Sequence, residues 1–205
     1  MNLLSRLIAI DPSLTCSGWA LFSLDKGELL GVGKVRSLSP KLHLAERLNH
    51  LQQRIEGIVD SLQLSSNDVL VCEAPTSMLD PKAAFKVEQV RSIFETVARS
   101  RSIDVPGRIN PRTVQRDVMG LASSQQKRVE VKRTARAVVK NLFNNHLERL
   151  GFNTDEKNLS RNQDIVDAIL IGYFGVSRLR QSIQAGVAPA VLFAEGQGRQ
   201  RYNRY

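Results

Sequence analysis

Two short apolar runs, each ending on a carboxylate, constrain the fold of this chain more than any other feature. The runs are LIAID over residues 7–11 and DVLVCE over residues 68–73. Both are short enough for strands and apolar enough to be covered on both faces. If the two strands are neighbours in one sheet, the side chains of Asp11 and Glu73 emerge at the same edge. The pattern therefore predicts a buried sheet with an acidic edge.

The other elements are predicted from periodicity and turn residues. Strands are expected at 19–24, 29–35 and 103–109, the last interrupted by Pro106-Gly107. Helices are expected to begin at Ser39-Pro40 and at Asp80-Pro81 and to cover 127–150 and 162–181. The order β-β-β-α-β-α-β-α-α implies an α/β fold, with a mixed five-stranded sheet flanked by helices.

The length of the chain allows one core-forming domain. We predict a folded domain over residues 1–185 and a flexible basic tail over residues 186–205, because the tail lacks periodicity and is rich in Gly, Gln and Arg. The tail either contacts nucleic acid by charge and stacking or is unstructured. The residues on which contact would depend are Arg199, Arg201, Tyr202, Arg204 and Tyr205.

The charge balance favours a polyanionic partner. Lys and Arg number 29 against 20 Asp and Glu, which leaves a formal net charge of +9. Such an excess points first to nucleic acid and second to an anionic membrane surface. Cys16 and Cys72 form no disulfide framework, and no apolar run is long enough to cross a bilayer. We therefore expect a soluble cytoplasmic protein, associated with the nucleoid and not with a membrane; an organellar or viral origin stays open.

Four carboxylates are the candidate active-site residues. Taken singly, each has a structural explanation, as a turn residue, a solvated strand end or a helix-start acid. Asp164 and Asp167, however, lie three residues apart and so share one face of an otherwise apolar helix. An acidic pair on a helix that packs into the core is costly unless a cation compensates it. Few Lys or Arg residues are adjacent in sequence, so a metal is the simplest compensation.

Carboxylate oxygens are the ligands that Mg²⁺ prefers. Four of them suit a pair of ions about 3.5–4 Å apart, the arrangement that hydrolyses phosphodiesters. Zinc is not supported, because His43, His50 and His146 lack ligand spacing. The sequence contains neither a GxxxxGK[ST] loop nor a GxGxxG fingerprint, and no serine or cysteine nucleophile has a placed histidine.

Three segments resemble the RuvC-type Holliday junction resolvases of the ribonuclease-H-like nuclease superfamily. They are IAIDPSLTCSGWAL, VLVCEAP and NQDIVDAILIGYF, and the similarity in order and spacing extends over about residues 6–175. The resemblance implies a homodimer that uses Mg²⁺ or Mn²⁺ to cut two opposed strands of a four-way DNA junction, with branch-migration or recombination proteins as possible partners. By the same resemblance, the family's four metal-binding catalytic positions are Asp11, Glu73, Asp164 and Asp167.

The chain departs from the family pattern at two places. Ser13 stands where the family usually has Gly, and Ala74-Pro75-Thr76 follow Glu73 where the family often has an aromatic wedge. The family's active-site lysine follows a Gly-rich stretch, which VMGLASSQQKRVEVK resembles here. The resemblance assigns that role to Lys127, with Lys132, one turn further, as the rival.

A basic stripe is the candidate DNA-contacting surface. Residues 127–140 contain six cations and one acid, and a spacing of four places several of the cations on one side of the predicted helix. A solvated helix face is the ordinary explanation for such a run. Given the net charge and the acidic site, we favour contacts with phosphates. The proposed contacts are Lys127, Arg128, Lys132, Arg136 and Lys140, with Lys82 and Lys86 near the start of the second helix.

These features favour a metal-dependent endonuclease that resolves four-way DNA junctions by paired, symmetric phosphodiester hydrolysis. Two alternatives stay open. A related nuclease could use the same site on RNA or flapped DNA. A catalytically inactive protein of the same fold could bind nucleic acid as a scaffold.

Overall fold

A mixed sheet forms the centre of the computed structural model, which describes residues 4–75, 80–122 and 127–194. Its spatial order is β3-β2-β1-β4-β5. The first three strands form an antiparallel meander, whereas β4 pairs parallel with β1, and β5 pairs parallel with β4. The strands are β1 (Arg6–Asp11), β2 (Cys16–Ser23), β3 (Leu29–Arg36), β4 (Asp68–Glu73) and β5 (Arg108–Ile109).

Helices cover both faces of the sheet. They are α1 (Leu44–Ser61), α2 (Pro81–Ser100), α3 (Pro111–Asp117), α4 (Arg128–Arg149), α5 (Glu156–Arg161), α6 (Gln163–Ala185) and α7 (Pro189–Ala194). Because successive strand residues point to opposite faces, β1 contributes Leu7 and Ala9 to the core beneath α4 and α6, and Ile8 and Ile10 to the core beneath α1 and α2. Each face of the sheet therefore has its own apolar core.

α6 is the most deeply buried helix. Most of its apolar side chains are almost fully covered, as the sequence of a helix that is apolar on most sides predicts, although Tyr173 and Ile183 are exposed. The helix can lie this close to the strands because Gly172 faces them: a Cβ atom there would lie 2.3 Å from the ring of Phe22 and 3.1 Å from the Cβ of Ala9. This close packing brings the first turn of α6 to the sheet edge where β1 ends.

The predicted mixed five-stranded sheet is confirmed, and most elements lie near their predicted positions. The start of α1 was predicted wrongly: the helix begins at Leu44 instead of Ser39-Pro40. Ser39 closes a local turn instead, because its side-chain oxygen accepts from the Lys41 amide and its carbonyl accepts from the Leu42 amide. The strand expected at 103–109 is reduced to β5 and an isolated bridge between Val69 and Asp104.

Regular structure continues beyond the predicted domain boundary at residue 185. α6 ends at Gly186, whose φ of 64° is left-handed, and the amide of Val187 turns back to the carbonyl of Ser182. The chain then forms α7, which packs on α6 and β5 and leaves Phe193 only 3% exposed. The basic and aromatic residues predicted to contact nucleic acid, at 199–205, lie outside the described residues. In the described ranges, no helix is long and apolar enough to cross a membrane.

Candidate active site

The four acids predicted from the sequence line one cavity of about 550 Å³. Asp11 ends β1 and Glu73 ends β4, and the parallel register pairs the preceding residues, Ile10 and Cys72. The two carboxylates therefore emerge side by side, as the apolar runs predict. The first turns of α6 bring Asp164 and Asp167 to the same cavity from the opposite side.

A glycine lets α6 reach the sheet at this point. Gly18 of β2 lies directly opposite Asp11 in the antiparallel register. A Cβ atom at this position would lie 1.9 Å from the main-chain oxygen of Asp164. No side chain fits in that space. Because residue 18 is a glycine, the acids of α6 can lie close to those of the strands.

Burial and mutual repulsion raise the pKa values of three of the acids. Burial is the main cause for Asp11, and the neighbouring charge of Glu73 adds to it, so its pKa lies well above the ordinary value. Burial and then repulsion by Asp167 raise the pKa of Glu73 to about 7. Burial raises the pKa of Asp167 to about 6, although a hydrogen bond from Gln163 opposes the shift. Three crowded carboxylates that resist ionisation favour the binding of a cation.

Protein cations compensate only part of this charge. Arg128 and Lys132 of α4 line the cavity, and both lower the pKa of Asp167. Lys34 of β3, which the sequence did not single out, is 12% exposed and lies 3.5 Å from the Asp164 carboxylate. Its ammonium group also donates to the carbonyl of Arg161 at 3.0 Å.

Of the two lysines considered for the active site, the structure brings Lys132 to the cavity. Lys127 lies at the N-cap position of α4, is exposed and makes no side-chain cap hydrogen bond. Among the described residues it is not one of those that line the cavity. Lys132 lies further along the helix and is one of the residues that line the cavity. The described cavity lining includes Lys132 and not Lys127, and the choice between them as the active-site lysine stays a prediction.

Arg136, a predicted phosphate contact, is bound to other side chains of the protein. Its side chain is 13% exposed and is paired with Glu156 at 2.6 Å. It also donates to the side-chain oxygen of Gln163 at 3.0 Å, and Gln163 in turn donates to Asp167 at 2.8 Å. Arg136, Gln163 and Asp167 thus form a chain of hydrogen bonds, in which Gln163 holds the carboxylate of Asp167 and Arg136 holds Gln163. Because these partners leave only 13% of the Arg136 side chain exposed, little of its guanidinium group is open to a DNA phosphate.

The remaining predicted DNA contacts lie outside the cavity. Lys140 is exposed on α4, about 18 Å along the helix from Arg128 at 1.5 Å per residue. Lys82 and Lys86 are exposed on the first turns of α2. Within the described ranges, none of these three lines the cavity, although all are open to solvent.

One wall of the cavity belongs to α3, which the sequence reading missed. Arg112 and Gln115 line the cavity from this helix, and Arg112 adds an exposed cation opposite α4. The signal was present: Asn110 caps the helix by accepting from the amide of Arg112, and Pro111 occupies the first turn.

The donor set fits hard divalent cations. Among the described residues, no group of three or more His, Cys, Asp or Glu side chains is arranged to hold one metal ion by itself. Mg²⁺ commonly binds through only one or two carboxylates and completes its shell with water and substrate phosphates. Four partly buried carboxylates around an open cavity suit that mode, whereas a closed, all-protein cage is not present in this part of the chain.

The mixed five-stranded sheet with helices on both faces is a ribonuclease-H-like fold. Two solved structures share it: the RuvC of Thermus thermophilus alone, with a TM-score of 0.64 and 18% identity, and the T. thermophilus RuvC in complex with Holliday junction substrate, with a TM-score of 0.61 and 17% identity. Each comparison covers 86% of this chain and 96% of the other. Residues 7–146 match the family model described as crossover junction endodeoxyribonuclease RuvC. The chain belongs to this family.

Two curated proteins named crossover junction endodeoxyribonuclease RuvC are relatives. The protein of Chelativorans sp. is 30% identical over 128 residues, which is 62% of this chain and 72% of that protein. The protein of Parvibaculum lavamentivorans is 26% identical over 126 residues, which is 60% of this chain and 69% of that protein. The family match includes Asp11 and Glu73 but ends before α6. The convergence of Asp164 and Asp167 on the same cavity is therefore a separate, structural observation.

Replacing Gly18 with alanine is expected to displace the start of α6 from the sheet. The added methyl group overlaps a main-chain oxygen, so we expect a loss of about 1–3 kcal/mol in the free energy of unfolding and weaker binding of divalent cations. Gly57→Ala is the matched control, because nothing lies within 4 Å of that position in α1. Urea denaturation with and without Mg²⁺ measures both effects. Equal stability of the Gly18 and Gly57 variants would contradict the close approach.

Mg²⁺ is expected to stabilise the protein more at pH 8 than at pH 5. In the fold, the pKa of Glu73 rises from 4.5 to about 7 and that of Asp167 from 3.8 to about 6. The folded state thus binds more protons than the unfolded state in this window, so the metal-free protein loses stability as the pH rises through it. Mg²⁺ relieves the repulsion only where the acids are ionised. Thermal unfolding with EDTA or Mg²⁺ checks this, and an equal Mg²⁺-induced shift in Tm at both pH values would contradict it.

Proposed function

We propose that this chain is a divalent-metal-dependent endonuclease that resolves four-way DNA junctions. The observation that carries the proposal is the convergence of four acids on one cavity with cationic residues on two of its walls. Acids at the centre and cations at the rim suit a reaction on a polyanion. Membership of a crossover junction endodeoxyribonuclease family supports the same reaction class.

The four acids are the proposed metal-binding residues. Asp11, Glu73, Asp164 and Asp167 would hold Mg²⁺ or Mn²⁺, with two ions in each active site. When bound, such ions activate a water molecule and stabilise the leaving oxygen in phosphodiester hydrolysis. Gln163 supports the site by holding Asp167 through a hydrogen bond of 2.8 Å.

The cationic walls are proposed to hold the DNA backbone over the acids. Arg128 and Lys132 from α4 and Arg112 from α3 line the cavity from two sides. Of these, Lys132 is the proposed active-site lysine. The exposed residues Lys127, Lys140, Lys82 and Lys86 are proposed to contact phosphates further from the cut, where they add affinity without sequence preference.

The substrate and assembly are proposed by analogy with the relatives. The T. thermophilus RuvC is described in complex with a Holliday junction substrate. A homodimer with a two-fold axis would present two equivalent active sites to the two opposed strands of such a junction and so cut them symmetrically. We infer that the protein acts in the cytoplasm on nucleoid DNA, where branch-migration or recombination proteins are its expected partners.

Cleavage of a synthetic four-way junction tests the proposal. We expect Mg²⁺-dependent paired cuts in the junction, little cutting of linear duplex or RNA, and no product in EDTA. Asp11→Asn should abolish cleavage and leave junction binding largely intact, because contacts with phosphates dominate affinity. Equal cutting of RNA or flapped DNA would favour the related-nuclease alternative. Binding by the unaltered chain without cutting of any substrate would favour the scaffold.

Alanine substitution separates the two candidate lysines. Lys132 lies at the cavity and Lys127 does not, so Lys132→Ala should reduce the single-turnover cleavage rate by about 10²-fold, the usual effect of removing one preorganised charge from a reaction centre. Lys127→Ala should leave that rate nearly unchanged and weaken only junction binding. Single-turnover rates at saturating enzyme measure the difference. A larger loss of rate for the Lys127 variant would restore the assignment made from the sequence.

A further inference from the structure

A buried arginine contacts the main chain of one of the four acids. Arg91 lies in the middle of α2, and only 2% of its surface is exposed. Its Nε atom donates a hydrogen bond of 2.7 Å to the carbonyl oxygen of Glu73. The side chain also lines the cavity that contains the acids. The sequence reading did not single out Arg91, because it lies on the apolar side of a helix among valines and a phenylalanine.

The main chain of Glu73 is held from both sides. On one side Arg91 binds its carbonyl oxygen. On the other, the amide of Ala74 donates to the carbonyl of Ile109 in β5 at 2.7 Å. The peptide that follows Glu73 is therefore fixed between a helix and a strand. Such double fixing defines the direction in which the Glu73 side chain leaves the sheet.

Arg91 is itself held by a chain of ion pairs. Its guanidinium pairs with Glu88, which pairs with Arg108 at 2.8 Å, and Arg108 pairs with Glu95 at 2.7 Å. Two cations and two acids thus balance each other between α2 and β5. The side chain of Glu88 is 39% exposed and that of Arg108 is 25% exposed, and ion pairs open to solvent contribute little to the free energy of unfolding. What the network does is hold the Arg91 guanidinium in place against the Glu73 carbonyl oxygen.

We propose that Arg91 is a positioning residue that holds Glu73 in the orientation needed to bind a divalent cation. The proposal rests on the metal-dependent function proposed above. Groups that orient metal-binding side chains commonly change metal affinity by about 10–100-fold when they are removed. Whether removal of Arg91 weakens or strengthens metal binding is informative, because Arg91 is also a positive charge beside an acidic site.

An electrostatic role and a positioning role of Arg91 predict opposite effects of Arg91→Ala on the affinity for Mn²⁺. If Arg91 only reduced the negative charge of the site, its loss would strengthen the binding of Mn²⁺. If it positions Glu73, its loss weakens binding. The conservative variant Arg91→Lys keeps the charge but has no planar fork to engage the Glu73 carbonyl and Glu88 together, so it should restore only part of the affinity.

Mn²⁺ binding to the metal-free protein provides the test. Isothermal titration with Mn²⁺ should show about 10-fold weaker binding for Arg91→Ala and an intermediate loss for Arg91→Lys. Arg99→Ala is the matched control, because Arg99 lies on the same helix and donates to the main-chain oxygen of Val105, away from the cavity. That variant should bind Mn²⁺ like the unaltered chain, whatever its effect on Tm.

The outcomes separate this inference from the proposed function. Unchanged or tighter Mn²⁺ binding by Arg91→Ala overturns the inference, as does an equal loss in the Arg99 control. If Arg91→Ala does not fold, the Arg91→Lys variant provides the test. A Mn²⁺ affinity of that variant equal to the affinity of the unaltered chain overturns the inference. Failure of the unaltered protein to cut a four-way junction, with Mn²⁺ still bound, contradicts the proposed function instead.

Discussion

Repulsion among carboxylates at one sheet edge is the constraint on which the rest of this structure depends. The parallel pairing of β1 with β4 places Asp11 and Glu73 side by side, and burial raises the pKa values of both. Repulsion by Glu73 adds to the shift of Asp11, and repulsion by Asp167 adds to that of Glu73. The surrounding elements bring partial compensation: Lys34 from β3, and Arg128 and Lys132 from α4. The remaining negative charge is the basis for proposing that the cavity binds divalent cations.

The close packing of α6 onto the sheet makes this concentration of charge possible. Two glycines permit it, Gly18 under the first turn of the helix and Gly172 over the ring of Phe22. Both positions lie against atoms that a side chain would displace. The same packing therefore closes the apolar core beneath α6 and sets the separation between the helix acids and the strand acids, so that stability and the geometry of the site depend on the same contacts.

Much of this arrangement could be predicted from local patterns. LIAID and DVLVCE are apolar runs that end on acids, and a strand edge follows directly from such a pattern. The role of Arg136 could not be predicted, because its partner Gln163 lies 27 residues away and the pairing exists only once α4 packs beside α6. Arg91 was missed for the same reason. Its partner is a main-chain oxygen, and side-chain spacing carries no information about that contact.

The account depends most on the claim that the four acids bind divalent cations together. Anomalous diffraction from crystals soaked in Mn²⁺ tests this most directly. We expect strong anomalous peaks in the cavity, within coordinating distance of Asp11, Glu73, Asp164 and Asp167, and their loss in Asp11→Asn crystals treated in the same way. Ordered Mn²⁺ at other surfaces, with none in this cavity at saturating concentrations, would contradict the account.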